Sequence, residues 1–245
     1  MIAERRGRRS LHTRSRCHSL TAVSTTVSPA RIAAMPNQSS AATRARRTKL
    51  ILFDVDGVLT DGKIWIFPAP AGVETAGSTT STLLERSGQR AREMDAGAHA
   101  TTLIEAKGFH AHDGTGISLA RYAGIKTGLI TKRNSETVAL RARDLKINHI
   151  YQGIQDKAGA FQEILDKDGI TADEAAFVGD DVIDLPVMRK CGLAIATQNA
   201  RSEVKAEAHW ITPHAGGDGA ARDAVEYILK AQGKLKQAIE AYILG

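Results

Sequence analysis

Asp54 and Asp56 stand two residues apart, directly after the apolar run Lys49-Leu50-Ile51-Leu52-Phe53, with Gly57 behind them. The run reads as a buried parallel strand. In extended backbone, residues i and i+2 point to one side. Both carboxylates can therefore converge on one substrate at the strand's carboxyl end, where open α/β sheets place their ligands. One acid could be a nucleophile and the other a general acid and base. Taken alone, such a pair is as readily a solvated loop. Three later features change its meaning. Lys126-Thr127-Gly128-Leu129-Ile130-Thr131 reads as a second strand, ending on a hydroxyl. Lys157 opens an amphipathic segment with Ala158, Phe161, Ile164 and Leu165 on one face. Ala175-Ala176-Phe177-Val178-Gly179-Asp180-Asp181 reads as a third strand ending on acids, with Asp184 just beyond. Singly, Thr131 would be an ordinary β-branched residue and Lys157 a solvated cation, while Asp180 and Asp181 could cap a helix. Their order, framed by apolar strands, gives them their significance.

The succession strand-Asp, strand-Thr, Lys at a helix start, strand-Gly-Asp-Asp resembles the four motifs of the haloacid dehalogenase superfamily of phosphatases. The residue types suit that chemistry. A carboxylate can attack phosphorus and form an aspartyl-phosphate. A second acid can protonate the leaving alcohol and then activate water. A hydroxyl, an ammonium and Mg2+ would surround the charged phosphoryl oxygens, and Mg2+ favours a few carboxylates plus waters and substrate oxygen. The resemblance implies Asp54 as nucleophile and metal ligand. It implies Asp56 as acid/base, with its backbone carbonyl also on the metal. It places Thr131 and Lys157 on the phosphate and Asp180 as the remaining direct metal ligand. Asp181 and Asp184 would act at one remove or through waters.

Several elements must position these groups. Gly62-Lys63-Ile64-Trp65-Ile66-Phe67 is strand-like and ended by Pro68 and Pro70. Residues 69–100, rich in Ala, Gly, Ser and Thr, read as an irregular insertion. Ala106–Ala111 reads as the returning strand of a hairpin, and Asp113-Gly114-Thr115-Gly116 as a turn into a helix carrying Ile117, Leu119, Ala120 and Ala123. Asn134 or Ser135 caps a helix with Val138, Ala142 and Leu145. Short strands are expected at 149–152, 193–196 and 209–212, and helices at 157–167, 182–190, 201–207 and 219–231. The alternation predicts an α/β fold: a Rossmann-like parallel sheet, right-handed crossovers and helices on both faces. A small β-hairpin insertion at about 62–112 stands in place of a cap domain.

The net charge of +6 is unevenly distributed. Residues 1–47 hold ten Arg, no Lys and one acid, whereas the rest holds 23 basic and 26 acidic residues. The sequence thus predicts a disordered Arg/Ser-rich tail over 1–47 and a catalytic domain over 48–245. The tail superficially resembles a transit peptide. It could also hold nucleic acid nonspecifically, but nucleic acid is not an expected partner. Initiation at Met35 would leave the catalytic segment whole. Cys17 and Cys191 are far apart and lack metal-like neighbours, which suits a reducing cytoplasm. No apolar run reaches about 18 residues, so no membrane-spanning helix is expected.

Asp54–Gly62, Glu105-Ala106-Lys107-Gly108-Phe109, Gly179–Met188 and Gly216–Arg222 narrow the resemblance to the capless branch of the superfamily. That branch implies a Mg2+-dependent homotetramer in which packed hairpins let a neighbour close each site. It implies a 2-keto-3-deoxy sugar phosphate as substrate, an octulosonate 8-phosphate of lipopolysaccharide synthesis first and a nonulosonate 9-phosphate second. A noncatalytic assembly domain is the alternative from another class. Lys107, Arg133 and Arg222 are candidate contacts to the sugar-acid carboxylate, and His110, His112 and His214 could line the mouth. The sequence departs from the branch twice. Thr131-Lys132-Arg133 stands where Thr-Gly-Arg is usual, and the insertion falls in the hairpin.

Overall fold

The computed structural model describes residues 40–68 and 103–245. A six-stranded sheet forms the centre, in the order β5-β4-β1-β6-β7-β8. Its strands are β1 (Leu50–Phe53), β4 (Lys126–Ile130), β5 (His149–Tyr151), β6 (Ala175–Gly179), β7 (Leu193–Ala196) and β8 (Trp210–Ile211). Every pairing in it is parallel. The chain builds outward from β1 to one side and then, from β6, to the other. This doubly wound order puts the carboxyl ends of β4, β1 and β6 side by side, at the point where open sheets open a crevice.

Alternation along β1 explains the two layers. Ile51 and Phe53 enter one apolar cluster and Leu50 and Leu52 the other. The first cluster receives Ile117, Leu119 and Ala120 from α2 (Ala111–Tyr122). It also receives Ala221, Ala224, Val225 and Ile228 from α7 (Ala220–Ala231). The second receives Phe161, Ile164 and Leu165 from α4 (Lys157–Asp168). A strand buried on both faces needs no polar alternation, which is why β1 and β6 read as continuous apolar runs. Helix α4 starts where it does because the Asp156 side chain accepts a hydrogen bond from Gly159 N at 3.0 Å. Its end is set by Gly169 in the left-handed conformation. The Asp156 cap makes Lys157 the first helical residue.

The hairpin is observed, with altered bounds. Strands β2 (Trp65–Pro68) and β3 (Leu103–Ala106) pair antiparallel, Trp65 opposite Ala106 and Pro68 opposite Leu103. Pro68 thus lies inside the strand it was expected to end. The returning strand stops at Ala106. Asp113-Gly114-Thr115-Gly116 lies within α2 rather than in a turn before it, because the helix already begins at Ala111. The insertion at 69–100 falls outside the described residues.

Helix α1 (Ala41–Arg47) corrects the boundary expected at residue 48. The Ser40 side chain accepts from Thr43 N, and Ala45 is fully buried against the first cluster. Arg44 donates to Gly192 O at 2.7 Å. The charge count over 1–47 hid a short amphipathic turn at its end. The expectation of disorder over residues 1–39 lies outside the described residues. The sequence reading also omitted α8 (Leu235–Leu244), and the segment expected as a helix at 182–190 divides into a 3-10 turn (Val182–Asp184) and α5 (Leu185–Met188). The remaining α-helices among the described residues are α3 (Glu136–Asp144) and α6 (Ser202–Glu207).

Candidate active site

Asp54 directly follows β1, and its N–H continues the ladder by donating to Val178 O at 3.0 Å. The chain then closes tightly: the N–H groups of Val58, Leu59 and Thr60 all donate to Val55 O, at 3.2, 2.9 and 3.1 Å. Gly57 makes the turn possible. Its φ is +91°, and a Cβ there would run into the Asp180 carboxylate. Gly216 closes over it from a second loop, so near that a Cβ would strike Gly57 O. Asn199 fastens the two loops. Its Nδ2 donates to Gly57 O at 3.1 Å, and its Oδ1 accepts from Gly216 N at 2.6 Å.

Within this frame Asp54, Asp180 and Asp184 bring one carboxylate oxygen each to within 4.8 Å of one another. Lys157 Nζ lies 2.7 Å from Asp54 Oδ1 and 2.7 Å from Asp184 Oδ1. The other Asp184 oxygen accepts from Asp180 N at 3.0 Å and Asp181 N at 3.3 Å. One ammonium thus bridges two of three converging carboxylates. Burial, and then the charge of Asp184, push the Asp54 carboxyl up to about 7 against the pull of Lys157. Burial, and then Asp184 and Asp54, push Asp180 up to about 8. Burial disfavours the charge on Lys157, but Asp54 and Asp184 outweigh it and hold its pKa above the ordinary value. Asp180 Oδ1 is buried without a hydrogen-bond partner. A buried oxygen left unsatisfied beside excess negative charge fits a hard divalent cation, whose ligands are carboxylate oxygens.

Thr131 is buried just past β4, one strand from Asp54; its N–H donates to Tyr151 O and its hydroxyl accepts from Arg133 N at 3.4 Å. The Asp56 carboxylate faces two cations. Its Oδ1 accepts from Lys107, whose side chain has no solvent exposure, and its Oδ2 lies 3.8 Å from Arg133 Nε. Lys107 and Arg133 thus reach the site. Arg222 pairs instead with Glu226 on its own helix, Nε to Oε1 2.6 Å. Asp181 is exposed and accepts from Val182 N at 2.7 Å. His110 Nδ1 accepts from His112 N at 3.3 Å, and His214 Nδ1 lies 2.9 Å from Asp223 Oδ2.

Comparison with known proteins gives the family. The haloacid dehalogenase-like hydrolase family pattern matches residues 125–222. The 3-deoxy-D-manno-octulosonate 8-phosphate phosphatase of Salmonella typhi is 34% identical over 203 residues, spanning 83% of this chain and 90% of that protein. This chain belongs to the haloacid dehalogenase-like hydrolases. The enzyme also resembles solved structures. The Yersinia pestis phosphatase of the same name superposes with a TM-score of 0.63 at 32% identity, over 80% of this chain and 88% of that one. The Moraxella catarrhalis phosphatase, solved with magnesium, phosphate and a KDO molecule, gives a TM-score of 0.65 at 31% identity, over 85% and 99%. The hydrolase thus stands among that family's phosphomonoesterases.

Sequence reasoning undervalued three residues of this hydrolase. Asp184, expected to act at one remove or through waters, is fully buried and belongs to the three-acid group. The tight turn after Asp181 returns it to the site, a signal available in the four-residue spacing from Asp180. Asp113, expected in a turn, lies in α2. It is buried and accepts from Gly219 N at 3.3 Å and Arg222 N at 2.9 Å, fastening the start of α7 to α2. Glu105, in the sequence only one member of a motif, has a side chain that is 8% exposed and lies 3.8 Å from Lys107 and 3.5 Å from Arg133.

Proposed function

We propose that this hydrolase is a Mg2+-dependent phosphatase of a 2-keto-3-deoxy sugar phosphate, releasing 3-deoxy-D-manno-octulosonate from its 8-phosphate for lipopolysaccharide synthesis. The observation that carries the reading is Lys157 bridging Asp54 and Asp184 beside Asp180, in a chain 34% identical to an enzyme of that name. Asp54, Asp180 and Asp184 would hold the cation, with the Asp56 carbonyl as a further ligand. When bound, the cation supplies positive charge that stabilises the phosphoryl oxygens and lets a dianion approach carboxylates.

The protein's own residues account for the remaining steps. An Asp54 oxygen attacks phosphorus as the bond from phosphorus to the sugar oxygen breaks. Asp56, protonated, gives its proton to the departing oxygen. Asp56 then takes a proton from water as that water attacks the aspartyl-phosphate, breaking the bond to Asp54 and releasing phosphate. Thr131 and Lys157 hold the phosphoryl oxygens throughout. Lys107 and Arg133 carry the positive charge that a sugar-acid carboxylate requires.

The working unit is a cytoplasmic homotetramer. Ile64, Trp65, Ile66 and Phe67 are 36, 55, 54 and 49% exposed on the hairpin, an apolar strand that a copy of the chain would cover. Phosphate release from a panel of 2-keto-3-deoxy sugar phosphates tests the reading. The octulosonate 8-phosphate should give the highest kcat/KM. Release no faster than from p-nitrophenyl phosphate across the panel would reject it.

A further inference from the structure

We propose that Glu105 is a positioning residue, a buried carboxylate that holds Lys107 and Arg133 against Asp56 and so ties the hairpin to the acid/base group. The inference rests on the phosphatase reading for the role of Asp56, and it concerns a residue outside the four motifs.

Four charges meet here. Lys107 hydrogen-bonds Asp56 Oδ1 and lies 3.8 Å from Glu105 Oε1. Arg133 lies 3.8 Å from Asp56 Oδ2 and 3.5 Å from Glu105 Oε2. Each cation thus faces both acids, and each oxygen of each acid faces one cation. The Lys107 side chain is wholly out of solvent, whereas Asp56 is 21% exposed. A buried ammonium is costly unless it keeps an anion beside it. Among the described residues its acidic partners are Asp56 and Glu105. Asp56 must turn to the substrate during turnover and cannot be the lasting partner. Glu105 can, because it is fixed from both sides. It sits opposite Ile66 in the β2–β3 pairing, and its carbonyl accepts from Thr137 Oγ1 of α3 at 3.5 Å. Its Oε1 is buried and lacks a hydrogen-bond partner. A buried acceptor left open beside a buried ammonium is the arrangement expected of a second seat for that ammonium.

Glu105 and Lys107 are also two residues apart, so an extended chain brings them to one side. Strand β3 therefore delivers the cation and its anchor together. The consequence is directional. With Glu105 neutralised, Lys107 loses its lasting anchor and keeps among the described residues only Asp56, an acid free to turn away, so the ammonium no longer stays seated and Asp56 is less often in place for proton transfer. Binding of an anionic substrate is not weakened, because positive charge is added rather than removed.

Glu105→Gln preserves shape and removes the charge, so it is the test. We expect kcat for the preferred sugar phosphate to fall about tenfold with KM unchanged or lower. We also expect Lys107, protected in the wild-type protein, to become reactive toward acetic anhydride in a mass-spectrometric labelling assay. Wild-type kcat within twofold, or unchanged protection of Lys107, overturns the proposal. Should the single variant fail to fold, Arg133→Met and Glu105→Gln/Arg133→Met replace it. The charge-balanced double variant should then be the more stable member and show Lys107 labelling above that of Arg133→Met, and equal labelling overturns the proposal. The labelling needs no turnover. A wild-type protein inactive on every phosphate ester would reject the phosphatase reading while leaving the Glu105 result to be read by itself.

Discussion

Lys157 Nζ lies 2.7 Å from Asp54 Oδ1, and both side chains are almost wholly withdrawn from solvent. The pair joins the first helical residue of α4 to the end of β1, across one layer of the fold. It is not a balanced pair, since Asp180 and Asp184 crowd the same space. The surplus negative charge is where a cation and a phosphate would be used, so stability and function pull against each other at this point.

Replacing Lys157 with Met leaves Asp54 and Asp184 buried with no ammonium between them. Breaking a buried pair from one side costs about 3–5 kcal/mol. We expect Lys157→Met to unfold at markedly lower urea concentration in chelator and to lose turnover. An unchanged urea midpoint would show that the ammonium contributes nothing to holding the acids together.

Asp54→Asn should act in the opposite sense on stability. It removes one of three converging carboxylates, and Lys157 retains Asp184 at 2.7 Å. Turnover and phosphoenzyme formation should vanish. The chelated protein should be as stable as wild type or more stable by about 1 kcal/mol, within the usual range for point substitutions. Radiolabel trapping and thermal melts check the two halves, and normal turnover by a verified Asp54→Asn protein rules out the nucleophile.

Much of this was legible in sequence because the informative groups lie at the ends of apolar strands. Such strands, buried on both faces, show as uninterrupted runs, and the residue after each run is placed by the sheet itself. That is how Asp54, Thr131 and Asp180 could be named. Asp184 was less legible because its placement depends on a 3-10 turn, which has no period long enough to detect. Glu105 and Lys107 come together with Asp56 only through a hairpin and a crossover, and no local pattern encodes that meeting. Arg222 is a local case. Its motif points to a substrate contact, while the structure shows its pairing with Glu226 one helical turn on, a local contact that the i,i+4 spacing does encode.

The pH dependence follows from the two raised carboxyls. Asp54 is held at about 7 and Asp180 at about 8, above their ordinary value of 3.8. Between about pH 4 and pH 8 the folded, metal-free protein therefore retains protons that the unfolded chain has released. Stability from these groups is present below that window and is lost as pH rises through it. A bound divalent cation takes the place of those protons, so its stabilisation grows with pH. The gap in Tm between saturating Mg2+ and chelator should widen by about 5 °C from about pH 6 to about pH 8.5. A gap that is constant or narrows would refute cation binding at these two acids, and full activity after exhaustive chelation would refute the Mg2+ requirement.

The hairpin offers the last prediction. Trp65 and Phe67 are 55 and 49% exposed, and burying side chains of this size contributes about 1.5–3 kcal/mol each. Four copies meeting through this strand would gather that contribution several times over, with no change to the central sheet. Trp65→Asp and Phe67→Asp together should therefore leave the fold intact while reducing the particle mass measured by light scattering. Activity should fall with the mass. The mechanism is local as well as subunit-to-subunit, because β3, paired to β2 at Trp65 and Ala106, leads directly into Lys107. Loosening β2 loosens the residue that grips Asp56. If the wild-type chain is a fully active monomer, the apolar strand needs another occupant. If the variant keeps both its mass and its rate, the hairpin has no part in assembly or in the site.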